Sequence, residues 1–118
     1  MTAMRHTESD IQKCCVAWFR AQYPKLALNL IAIPNGGARS RVEAAIMKGE
    51  GVTAGAADLG LFVPCKGYHG LFIEMKTPKG RQQPSQKAWQ AAVEAQGYKY
   101  VVCHGYREFV DEVNGYLR

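Results

Sequence analysis

Apolar residues recur at Ile11, Cys14, Cys15, Trp18 and Phe19, the spacing of one helix face. Thr7, with Asp10 three residues on, supplies the start signal, and Pro24 closes this first helix. Leu26 to Ile33 is a short apolar run between Pro24 and Pro34, and it predicts a buried strand. Pro34-Asn35-Gly36-Gly37 carries turn chemistry. Ser40 and Glu43 form a second helix start, and that helix runs to about Lys48 before Gly49 and Gly51 stop it. A small-residue loop then leads into a strand from Asp58 to Val63. Residues 66 to 70 read as a turn closing a hairpin, with the next strand at Leu71 to Lys76. Thr77 to Pro84 is polar and basic, hence a loop. Ser85 is expected to cap a helix through about Gln96, with Ala88, Trp89, Ala92 and Val93 inward and Gly97 at its end. A strand at Lys99 to Cys103 and a helix at Tyr106 to Tyr116, with Phe109, Val110 and Val113 inward, complete the chain. The order α-β-α-β-β-α-β-α predicts an α/β fold: one domain, 1–118, with a central mixed β-sheet flanked by helices.

Composition narrows the function classes. A length of 118 residues suits one domain, and 47% hydrophobic with 21% charged residues excludes a disordered chain. No apolar run approaches the roughly 20 residues of a membrane span, and the first residues lack the apolar core of a secretory signal. Fifteen Lys and Arg against ten Asp and Glu give +5, a balance suited to a polyanion such as nucleic acid. Cys65, His69, Cys103 and His104 match no zinc spacing. Cys14, Cys15 and Cys103 instead fall at apolar positions, as buried thiols do in a reducing, cytoplasmic compartment.

The informative residues are acids at positions where a strand seeks the core. Asp58 opens one apolar strand and Glu74 interrupts another. Alternation places Glu74 and Lys76 on one face, with Ile73 and Met75 on the other. On neighbouring strands, the Asp58 and Glu74 carboxylates converge, repel, and gain from a shared divalent cation. Lys76 beside them can stabilise charge developing on a phosphate. The plainer alternative for Glu74 and Lys76 is a solvated edge strand or a cross-strand ion pair. Glu8 is a third acid, in the first helical turn, where simple capping also accounts for it.

Asp58 with Glu74-Met75-Lys76 resembles the D…(D/E)-x-K site of the restriction-endonuclease-like superfamily. The chain is more closely similar to a stand-alone, virus-type VRR-NUC domain. That likeness runs through Glu8, Pro34-Asn35-Gly36, Gly51 to Leu59, Ile73 to Thr77 and Ser85 to Trp89. Ala57 departs from it, standing where the family often has proline. The resemblance implies that Asp58, Glu74, the Met75 carbonyl and, directly or through water, Glu8 bind Mg2+ or Mn2+. It implies that Lys76 assists the attacking water or the transition state, and that Gln86 orients Lys76 or the scissile phosphate. Arg39, Arg41, Lys79, Arg81 and Lys87 are the basic residues placed to meet a phosphate backbone. Trp18 and Trp89 recur at core spacing and are packing residues. The implied activity is metal-dependent endonucleolytic cleavage of DNA, with branched, Holliday-junction-like substrates and a homodimer that supplies two active sites. The rivals are a non-catalytic basic nucleic-acid-binding module and an RNA-directed nuclease.

Overall fold

The computed structural model describes residues 7–34 and 40–118. The glycine loop at 35–37 and Arg39 lie outside the described residues. Helix α1 (Glu8–Gln22) starts at a capping box: the Thr7 hydroxyl accepts from Asp10 N–H, and the Asp10 carboxylate accepts from Thr7 N–H. Strand β1 is Leu30–Ala32, and helix α2, Arg41–Gly49, is capped by the Ser40 hydroxyl. Strands β2 (Leu59–Leu61) and β3 (Leu71–Met75) precede α3 (Pro84–Ala95), β4 (Lys99–Cys103) and α4 (Tyr106–Leu117).

The sheet order is β1-β2-β3-β4. The β1–β2 and β2–β3 pairs are antiparallel, while β3 and β4 are parallel and joined across α3. A parallel neighbour needs such a crossover, and the hairpin from β2 to β3 needs only a turn. The sheet is therefore mixed, as the α-β-α-β-β-α-β-α order predicts.

Period-two alternation sorts the strand residues between two faces. Leu59, Leu61, Leu71, Ile73 and Met75 pack with Cys15 and Phe19 of α1 and Phe109, Val113 and Tyr116 of α4. Phe72 and Tyr100 face the other way, where Trp89 and Val93 of α3 cover them. Trp89 meets Phe72 edge-on, at 4.8 Å between ring centroids. Every residue of β3 is buried, so the one acid in it has no solvated face to occupy.

Five local expectations are corrected. The run 26–33 is not one buried strand: Pro24–Asn29 forms a 3₁₀ helix, and only Leu30–Ala32 pairs. Pro24 sets its own φ and starts a tight turn, leaving Leu28 94% exposed. The strand expected from Asp58 to Val63 pairs only over Leu59–Leu61. Helix α3 is capped at Gln83, not Ser85, because Pro84 takes the first helical position, where a missing N–H costs nothing. Ala88 and Ala92 are exposed, as is Cys14, while Cys15 is fully buried. Burial pushes the Cys15 and Cys103 thiols up to about 12, in keeping with inert core thiols.

Candidate active site

The hairpin register builds the centre. Leu59 pairs with Ile73, so one step outward Asp58 falls across from Glu74. The Asp58 backbone is held from its other side too, its carbonyl accepting from Ile33 N–H at 2.8 Å. Its Oδ2 accepts from Met75 N–H at 2.7 Å, which fixes the carboxylate over the end of β3. Glu74 is only 2% exposed. Burial drives its carboxyl up to about 8, reinforced by the hydrogen bond and charge of Asp58, opposed by Lys76 and raised further by Glu8. The carboxyl facing Glu74 thus adds to burial in disfavouring its charged form.

Lys76 is 8% exposed and directly follows β3. Its N–H donates to Cys103 O at 2.8 Å, continuing the parallel ladder. The loop after it lies over the lysine stem: a Cβ on Gly80 would stand 3.2 Å from Lys76 Cβ. His104 secures that loop, with Nε2 3.1 Å from Gly80 O, and its Nδ1 faces Glu108.

A second tether holds Glu74 from β4. The Tyr100 hydroxyl donates to Glu74 Oε1 at 3.5 Å, and Gln82 Nε2 reaches both Tyr100 Oη at 3.3 Å and Gln90 Oε1 at 2.7 Å. Tyr100 lies on β4 beside Phe72, so this contact depends on the β3–β4 register. Its alternation within β4 was the available signal, since it places the hydroxyl on the Glu74 face.

The other expected residues divide into two groups. Glu8 lines the same groove as Asp58 and bears electrostatically on Glu74. Gln86 stands in the first turn of α3, where its Oε1 accepts from Gln83 N–H at 2.7 Å, so that oxygen serves a cap. Arg41, Lys79, Arg81 and Lys87 are exposed, and Arg39 lies outside the described residues. The groove beside Asp58, of about 530 Å³, runs along α1 and is lined by Ser9, Gln12, Lys13 and Arg20 among others. No sequence argument pointed to those four.

Asp58 and Glu74 offer hard oxygen donors, and two carboxylates are what a magnesium-type site asks of a protein that leaves other positions to water and substrate. Among the described residues no cluster of three His, Cys, Asp or Glu side chains closes to ligating distance. The donor set is thus an inner pair with Glu8 at the rim, and it fits Mg2+ or Mn2+ better than the nitrogen and sulfur set of zinc.

A mixed sheet covered by helices, with an acid pair and a buried lysine at the end of an internal hairpin, defines an α/β domain with a candidate site at the sheet end. The family follows from comparison with known proteins. The family model of the VRR-NUC domain matches residues 4–107. A solved structure named VRR_NUC domain protein is 28% identical, with a TM-score of 0.84 over 99% of this chain and 91% of that one. No match to a curated protein is found. The chain belongs to the VRR-NUC domain family, a nuclease-type family. No helix among the described residues is long and apolar enough to cross a membrane.

Proposed function

We propose that this chain is a divalent-metal-dependent DNA endonuclease, acting as a homodimer on branched DNA such as four-way junctions. The observation that carries this reading is the facing of Asp58 and Glu74 across the β2–β3 hairpin, with Lys76 buried beside them. A non-catalytic polyanion binder gains nothing from setting a second acid against a buried one, because acids repel phosphate.

In this reading Asp58, Glu74 and the Met75 carbonyl hold Mg2+ or Mn2+, with Glu8 contributing from the rim. The metal supplies Lewis acidity and a nucleophilic water at neutral pH. Asp58 is kept in place by Met75 N–H, and Glu74 by burial and Tyr100. Glu74 would hold a cation as its carboxylate, so metal binding there would release the proton that burial keeps on it. The Lys76 ammonium stabilises negative charge growing on the phosphate oxygens. Gln86 orients Lys76 or the phosphate through its amide nitrogen, the oxygen being engaged in the cap. Arg39, Arg41, Lys79, Arg81 and Lys87 meet flanking phosphates. A four-way junction has two strands to cut symmetrically, and a C₂ dimer presents two centres.

The test is incubation with four-way junction, flap, single-stranded and linear duplex DNA, each with magnesium, manganese or chelator. The reading expects cleavage with either metal, none with chelator, and the junction cut fastest. Cleavage that persists in chelator overturns the metal assignment. A chain that binds all four DNAs and cuts none is the basic binding module.

A further inference from the structure

We propose that the groove along α1 is the bed of the cleaved DNA strand, with Lys13 and Arg20 gripping its phosphates to one side of the scissile bond. This rests on reading Asp58, Glu74 and Lys76 as the phosphodiester-cleaving centre. The groove begins at that centre: Glu8 and Asp58 line one end, and Gln12, Lys13, Val16 and Arg20 carry it along the helix. The wall is a broad flank of α1 that runs from Glu8, on the side facing Asp58, round to Lys13 and Arg20, about 130° away at roughly 100° per residue. Lys13 and Arg20 are seven residues apart, so they point within about 20° of each other at roughly 100° per residue. Cys15 and Phe19, on the side of the helix away from Lys13 and Arg20, hold it on the sheet. The two bases are therefore displayed by a helix that cannot roll.

Charge is ordered along this groove. The acids that suit a cation are at the sheet end, and the bases that suit phosphate lie beyond them. Both basic side chains are exposed, and among the described residues neither forms a salt bridge. Basic side chains at the surface of a helix commonly pair with acids at i±4, whereas these face a concavity. Ser9 and Gln12 add neutral hydrogen-bonding groups between the two kinds of charge.

The spacing suits a nucleic-acid strand. At about 1.5 Å rise per residue, Lys13 stands roughly 7 Å and Arg20 roughly 18 Å along the axis from Glu8. At about 3.4 Å of duplex axis per nucleotide of one strand, these axial distances correspond to about two and five steps from the cut. A small phosphorylated metabolite would need its bases clustered within one such step, so the ligand class is a polynucleotide backbone. Lys79 and Arg81 follow Lys76 directly and are left to the immediate surroundings of the scissile phosphate.

The experiment measures junction binding by anisotropy and junction cleavage in magnesium for the full-length chain, Lys13→Ala, Arg20→Ala, the double variant, and Lys99→Ala. Lys99 pairs with Leu71 at the far end of β3 and β4 and serves as the control for loss of one charge. The double variant should raise Kd and KM about tenfold, leave kcat within twofold, and flatten the salt dependence by about two in log–log slope. Lys99→Ala should change each of these far less. Thermal melts should be unchanged, because both α1 side chains are exposed. If wild type binds and cuts while the double variant keeps wild-type Kd and slope, the strand does not follow α1, although the nuclease reading stands. An effect of Lys99→Ala equal to that of the α1 variants reduces the result to net charge and overturns the groove. If wild type itself neither binds nor cuts, the nuclease reading falls and takes this inference with it.

Discussion

Glu74 is an acid with almost no contact with water, and its titration is the most direct report on the centre. In metal-free folded chain its carboxyl holds a proton up to about pH 8, against 4.5 for the ordinary group. The folded state therefore binds more protons than the unfolded state between those values, and stability falls as pH rises through that window. In chelator, the urea midpoint of wild type should drop from pH 5 to pH 8 relative to Glu74→Gln, which has no charge to lose. Parallel curves for the two proteins would contradict the burial of Glu74 beside Asp58. Lys76 makes the complementary case. Lys76→Ala should keep Mn2+ affinity by calorimetry within a fewfold, yet lose on the order of a hundredfold in cleavage rate. A variant that loses metal affinity as well would place the lysine in support of the acids, not of the transition state. Pairing of Asp58 and Glu74 was legible because strand alternation and an antiparallel register are both readable from a short apolar pattern. Tyr100 and Gln82 were not, because their contacts depend on how β4 and a loop dock.

At the scale of elements, the small-residue loop before β2 does more than connect. Gly55 has φ +89°, and a Cβ there would lie 2.2 Å from the Ser85 carbonyl oxygen. That backbone contact seats the start of α3, with Gln86, against the segment that leads to Asp58. Gly55→Ala should destabilise by about 2 kcal/mol or more, from the left-handed conformation and the clash together. Gly51→Ala shares only the first penalty, since nothing lies within 4 Å of its Cβ. Equal melting temperatures for the two variants would show that the contact carries no energy. Helix α1 was legible because its capping residues and apolar spacing agree, α2 from its Ser40 cap and α4 from its apolar spacing. The segment 26–33 was not, because a short apolar run has no period to tell a strand from a 3₁₀ turn, and Pro24 decided it. Ser85 was displaced as a cap by the proline beside it, a competition between two valid start signals.

For the whole molecule, a charge of +5 surrounds a centre made of acids. The basic excess draws a polyanion in, and the acid pair requires a cation before that polyanion can approach closely. A binder and a nuclease of this charge therefore differ in a single respect: removing one acid improves or spares the first and disables the second. Asp58→Asn keeps the side-chain shape and removes the charge opposite Glu74. The decisive measurement is cleavage of a labelled four-way junction in magnesium by this variant beside wild type, with junction binding recorded in the same samples. The account predicts binding at least as tight as wild type and cleavage reduced at least a hundredfold. Cleavage at the wild-type rate would contradict it, and Asp58 would then be a structural residue of the hairpin rather than a metal ligand.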